Sequence, residues 1–167
     1  MKSLLELKLA IAIIACALFM EGCSMEDPVP APSDNLSALR DIVNLQIPAN
    51  SGRWEIFGTP EYKGGVPGPT DYTTLVAELE SSQSHWLENL KEPAGVNYVV
   101  PEAGRLWLRE PFRQLLLKNK NSNADLSQLS NCRKYQTSLR KTGKPVGGFI
   151  CEDASHLLIY LLLSAPQ

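Results

Sequence analysis

Beyond residue 35 the apolar positions follow two rhythms, one helical and one of strands. Leu36, Leu39, Ile42 and Val43 recur at helical spacing, with Ser33 or Asp34 placed to cap the start and Pro48 to stop the run. Arg53-Trp54-Glu55-Ile56-Phe57 reads as a strand. The stretch from Asp71 to Glu80 carries both rhythms: Tyr72, Leu75, Val76 and Leu79 for a helix, Thr73, Leu75, Ala77 and Leu79 for a strand. The β-branched pair Thr73-Thr74 and the preceding turn favour a strand paired with 53–58. Ser81-Ser82 then open a helix bearing Trp86, Leu87 and Leu90.

Val96 to Val100 is a short β-rich run ended by Pro101, and Pro111 suits the first turn of a helix carrying Phe112, Leu115 and Leu116. Asn119 to Asn131 is polar and reads as a loop around a weak helical turn. Val146–Cys151 and His156–Leu163 read as two strands of a hairpin linked by Glu152-Asp153-Ala154-Ser155. The second has little polar alternation, as a central strand covered on both faces requires. The sum is a single α+β domain over 35–167, an antiparallel sheet of about four to five strands packed with two or three helices.

The first thirty residues follow neither rhythm. Lys2 and Lys8 precede the unbroken apolar run Leu9 to Met20. As a helix this run reaches about 18 Å, against about 30 Å of hydrocarbon in a bilayer, so it suits a signal-peptide core and is too short to span. It ends in Met20-Glu21-Gly22-Cys23. This tetrad resembles the lipobox of bacterial lipoprotein precursors, in which a small residue precedes a cysteine that takes a diacylglycerol before cleavage. The resemblance implies a signal over 1–22 and lipidation at Cys23, although Glu21 departs from the pattern. Ile13-Ile14-Ala15-Cys16 is a rival that leaves a very short apolar run before it, so Cys23 is preferred. With Cys23 as the lipid site, Ser24 follows it, which in a Gram-negative cell resembles an outer-membrane sorting context, because the inner-membrane retention Asp is absent. Residues 23–34 then form the lipidated tether: the acidic, Pro-rich run Glu26 to Asp34 is a spacer that holds a domain roughly 25–30 Å off the bilayer.

Export changes the reading of the cysteines. With Cys16 in the signal and Cys23 lipidated, Cys132 and Cys151 remain, and an oxidising compartment favours a disulfide between them. Two sulfurs are too few to hold zinc, and neither a metal nor a cofactor is expected. Charge is uneven. Glu26 to Glu110 holds thirteen acids and six bases, a balance of −7, whereas Pro111 to Gln167 holds eight bases and three acids, +5. Fourteen bases against sixteen acids leave the mature chain at −2 with no recognisable binding motif, which argues against nucleic acid.

Chemistry is sparsely signalled. There is no Gly-x-Ser-x-Gly, His-Glu-x-x-His or phosphate loop, and no catalytic residue is assigned. His85 reads as a helix-surface residue and His156 as an ordinary strand-start histidine. Glu78 and Glu80 share one face of a strand, Glu88 and Glu92 one face of a helix. The Gly-Pro loop 64–69 is flanked by Tyr62 and Tyr72, with Arg53 and Trp54 as neighbours; Tyr, Trp and Arg are frequent binding anchors. Arg133, Lys134, Arg140, Lys141 and Lys144 form a second candidate binding segment, and Trp107 fits either a core or a binding surface. The expected function is a membrane-tethered, non-enzymatic binding module whose partner is an envelope or exported protein. In general plan it resembles periplasmic inhibitor and immunity proteins that occlude a partner's cleft. An envelope hydrolase using His85 or His156 with nearby carboxylates, and a structural lipoprotein of an envelope assembly, are the alternatives.

Overall fold

The computed structural model describes residues 31–61, 69–83, 86–120 and 122–165. The expected signal, Cys23, most of the spacer, Tyr62 and His85 lie outside these residues. Within them, strand alternation sets the architecture. Five strands form one sheet in the order β1-β2-β7-β6-β5, every neighbour antiparallel: β1 (Ala49–Thr59), β2 (Tyr72–Ser81), β5 (Cys132–Ser138), β6 (Pro145–Asp153) and β7 (His156–Ser164). The apolar run of β7 is explained by its central place. Leu157, Ile159 and Leu161 enter one hydrophobic cluster and Leu158 and Tyr160 the other, all of them buried.

Each face has its own cover. On one face, Leu75, Ala77, Leu79, Ile150 and Leu157 pack beneath α1 (Leu36–Ile42), Ile47 and the 3₁₀ turn Trp86–Asn89. On the other, Phe57, Val76, Phe149 and Tyr160 pack beneath α2 (Glu110–Lys118) and a two-stranded ribbon of β3 (Val96–Val99) and β4 (Ser122–Asp125). Tyr160 fastens this second layer: its hydroxyl donates to the Tyr98 carbonyl at 3.1 Å and accepts from the Val100 N–H at 3.2 Å. Burial drives its pKa up to about 12. Gly148 lets β6 approach here, since a Cβ would collide with the Tyr160 carbonyl oxygen. Every core residue lies between Leu36 and Leu163, so this segment carries the complete fold among the described residues.

The fold is α+β with an antiparallel sheet, and 71–80 is a strand of it. The Cys132–Cys151 disulfide is formed, between residues directly paired across β5 and β6. Several expectations need correction. Asn35 caps α1, its side-chain oxygen accepting from the Ala38 N–H at 3.0 Å, in place of Ser33 or Asp34. Among the described residues that follow Ser81, Trp86–Asn89 form a short 3₁₀ turn that ends before Glu92, so Glu88 and Glu92 do not share a helix. The polar stretch read as a loop holds β4, whose backbone pairs with β3 while Ala124 alone of its described side chains is buried. The bases Arg133 and Lys134 belong to strand β5.

Candidate functional site

Alternation puts Arg53, Glu55 and Phe57 of β1 on the same face as Val76 and Glu78 of β2, and pairing fixes who meets whom. Arg53 lies opposite Glu78, Ser51 opposite Glu80, and Glu80 opposite His156 at the start of β7. The apolar core occupies the middle of this face, and these polar residues extend it toward the β6–β7 turn.

The segment 104–109, ahead of α2, is fastened over them by carboxylates. Glu55 accepts from Arg105 Nη2 at 2.7 Å and from Trp107 Nε1 at 3.0 Å. Glu61 holds the other side of the same guanidinium, accepting from Arg105 Nη1 at 3.0 Å. Glu78 accepts the Arg109 backbone N–H at 2.8 Å. The Arg105 and Glu55 side chains are only 10% and 9% exposed, and the guanidinium lies 3.9 Å from the centre of the Phe57 ring. Burial on its own pulls the Arg105 pKa down; hydrogen bonds and the charges of Glu61 and Glu55 outweigh it and leave the pKa above its ordinary value.

What remains open is a cleft of about 460 Å³ lined by Asp34, Arg53, Glu78, Glu80, Trp107, Arg109 and His156, among others. Its charges are of both signs. His156 Nδ1 stands 3.5 Å from Glu78 Oε1, and Arg109 Nη1 stands 3.4 Å from Asp153. Ser51 Oγ donates to Glu80 at 2.7 Å. Arg53 is exposed and makes no ion pair or hydrogen bond among the described residues. Leu106, between the two fastened residues Arg105 and Trp107, is 87% exposed. A cleft of this kind offers guanidinium and carboxylate groups at fixed positions beside an indole. It also holds an imidazole next to a carboxylate, the orientation a general base uses.

The other sequence candidates are dispersed. Trp54 points to the opposite sheet face and donates from Nε1 to the Asn35 carbonyl at 3.0 Å. Tyr72 is half-buried and stacks on Tyr98 with ring centres 5.1 Å apart. Arg133 donates to the carbonyls of Ser130 and Cys132, and Lys134 pairs with Glu92 at 2.8 Å beside a second hollow of about 440 Å³. Arg140, Lys141 and Lys144 are exposed at the tip of the β5–β6 hairpin and have no described partner. Among the described residues, no group of three or more His, Cys, Asp or Glu is arranged to hold a metal ion.

Glu55, Glu61 and Arg105 went unsignalled as a group. A clue was present in Glu55, an acid on the same strand face as Phe57, because a carboxylate among core positions requires a cation or donors of its own. Its partner lies fifty positions on and no local pattern points to it. Compared with protein-family models, with curated proteins and with solved structures, the chain matches none.

Proposed function

We propose that the chain is an envelope lipoprotein tethered through lipid on Cys23, on the periplasmic side of the outer membrane if the cell is Gram-negative. Its domain acts as a non-enzymatic binding module of the inhibitor or immunity-like kind, and its partner is another envelope or exported protein. The observation that carries this reading is the cleft, in which Arg53 stands unpaired beside carboxylates already fixed by the fold. Preorganised charges lose little freedom on binding, and an arginine with an adjacent indole is a frequent anchor of interfaces. Leu106, exposed next to Trp107 in sequence, adds apolar surface to the same segment. A peptide segment of the partner would give its carboxylates to Arg53 and Arg109 and its cations to Glu80.

The test is a pull-down from envelope extracts with residues 24–167. One stoichiometric partner is expected, with binding weakened at least about tenfold by Arg53→Glu, since a charge reversed in a desolvated contact costs more than 1.4 kcal/mol. Unchanged capture by that variant removes the cleft as the recognition surface. Palmitate labelling that is lost in Cys23→Ser supports the tether; labelling lost only in Cys16→Ser moves it to the other cysteine. The His156–Glu78 contact favours a second reading, an envelope hydrolase. Turnover by the purified domain that disappears in His156→Ala would establish that reading over the first.

A further inference from the structure

The tip of the β5–β6 hairpin spans Leu139 to Lys144, and its shape is fixed by the backbone. Leu139 N–H donates to the Lys144 carbonyl at 2.8 Å, Gly143 N–H to the Leu139 carbonyl at 2.8 Å, and Lys144 N–H to Thr142 Oγ1 at 3.2 Å. Gly143 takes the left-handed φ of 68° that closes the turn. A neighbour braces the structure from outside: Arg140 N–H donates to the Ile42 carbonyl at 2.8 Å, and Thr137 Oγ1 to the Asn44 carbonyl at 2.7 Å. Arg140, Lys141 and Lys144 therefore stand at the apex of a braced turn, exposed and without an ion partner.

Strand pairing locates this apex relative to the N-terminal segment. Thr59 pairs with Tyr72, Thr73 with Ser164, Gly147 with Leu162 and Ser138 with Pro145, so the hairpin tip and the β1–β2 connection lie at one end of the sheet. Ser33 bridges Trp54 in antiparallel sense, with hydrogen bonds of 2.8 Å in both directions. Pro32 and Ala31 therefore run along β1 toward Thr59, which is that same end. The cleft with Ser51, Glu80 and His156 lies at the opposite end, near the β6–β7 turn.

We infer that the hairpin end is a docking surface for anionic phospholipid headgroups, so that the domain sits end-on at the bilayer with its cleft turned away. The proposal rests on the lipid tether proposed above. A chain that enters from the hairpin end turns that end toward the membrane; the spacer reaches roughly 25–30 Å only when fully extended, and docking requires it to lie along the surface instead. Three unpaired cations, carried on one braced turn, then meet phosphate groups together. Among the described residues, the exposed acids at this end, Asp41 and Asp71, are fewer than these three cations. Each Lys or Arg close to an anionic surface raises partition roughly fivefold, so the three together contribute roughly 100-fold, and salt weakens the effect. At low salt this contact is strong enough to be read on the domain without lipid; as salt rises it weakens, and it then serves to orient a protein that is already tethered.

The test uses residues 23–167 carrying Cys23→Ser, which retain the complete fold and have no lipid. Flotation with phosphatidylglycerol-containing vesicles at low salt is expected to carry the protein, and pure phosphatidylcholine vesicles are expected to leave it behind. The triple variant Arg140→Gln, Lys141→Gln, Lys144→Gln should bind the anionic vesicles roughly 100-fold more weakly, with an unchanged circular dichroism spectrum. Equal binding by the variant, or no binding by the parent, overturns the proposal. So does a variant that keeps vesicle binding and loses a protein partner, which would give the hairpin to that partner. Because no lipid is attached, these results do not depend on the tether, which palmitate labelling tests separately. In the lipidated chain a fluorophore at Thr142→Cys should be quenched by a headgroup quencher and one at Ser155→Cys should not; the reverse order also overturns the orientation.

Discussion

Two regions of the molecule, the segment 104–109 with the cleft beside it and the tip of the β5–β6 hairpin, use charge in opposite ways. In the first region carboxylates are consumed by the fold: Glu55 in β1 and Glu61, just past the end of β1, enclose Arg105, and Glu78 beside the cleft holds the start of the α2 segment. At the hairpin tip, the side chains of Arg140, Lys141 and Lys144 take no part in holding the fold. The first arrangement makes charges structural and leaves a fixed, mixed-sign cleft behind. The second leaves cations available to a surface outside the molecule. Stability measurements separate the two, because only the first set is desolvated.

Arg105→Ala should give the largest effect. It leaves Glu55 and Glu61 facing one another without their cation in a site where the Glu55 side chain is 9% exposed. Removing one member of a buried pair costs about 3–5 kcal/mol, so a large fall in the urea midpoint is expected. A loss within about 0.5 kcal/mol would mean that water reaches the network and that the contrast between the two regions is false. Next comes the disulfide, which joins β5 to β6 across a sequence separation of 19. Cys132→Ala with Cys151→Ala should cost about 3 kcal/mol of unfolding free energy.

Outside both regions, Tyr160 makes stability depend on alkaline pH. Its hydroxyl has a folded pKa of about 12 against an ordinary value near 10, because burial disfavours the phenolate. Above pH 10 the unfolded chain loses this proton before the folded chain does. The contribution is therefore complete below pH 10 and is lost as pH rises through about 12, on the order of 2 kcal/mol in all. Burial also raises Tyr135 and steepens the same decline. Tyr160→Phe should flatten the curve over this window while lowering stability at neutral pH by about 1 kcal/mol through the lost hydrogen bonds to Tyr98 and Val100.

Glu78→Gln should be milder. The amide oxygen can still accept from the Arg109 N–H, but as a neutral acceptor, so about 1 kcal/mol is expected from thermal unfolding. A much larger loss would mark Glu78 as part of the structural network in the same degree as Glu55.

What the sequence disclosed about these regions depended on how local the signal was. The β6–β7 hairpin, the centrality of β7, the pairing of 53–58 with 71–80 and the start of α2 at Pro111 all follow from patterns a few residues long. β4 was illegible because its pairing is made by backbone groups whose side chains carry little apolar signal. Arg53, Glu78 and Glu80 could each be seen as surface or face residues. Their meeting with Trp107, Arg109 and His156 depends on register and on a segment that returns from another layer. Arg140, Lys141 and Lys144 were legible as a basic run, but Arg133 and Lys134 looked equivalent until Glu92 and the carbonyls of Ser130 and Cys132 were found to occupy them.

The smallest effect is the most diagnostic. Arg140→Gln, Lys141→Gln and Lys144→Gln together should change the unfolding free energy by less than about 0.5 kcal/mol, since exposed groups without partners contribute little. The three bases share one short turn, and their mutual repulsion is relieved, so any change should be toward greater stability at low salt and should vanish as salt rises. A destabilisation that persists at high salt would mean the cations hold the turn, and the hairpin tip would then join the first region as a place where charge serves the fold. A salt-sensitive gain would mean that the bare domain carries a small electrostatic cost at this apex, one that contact with an opposing negative surface would relieve.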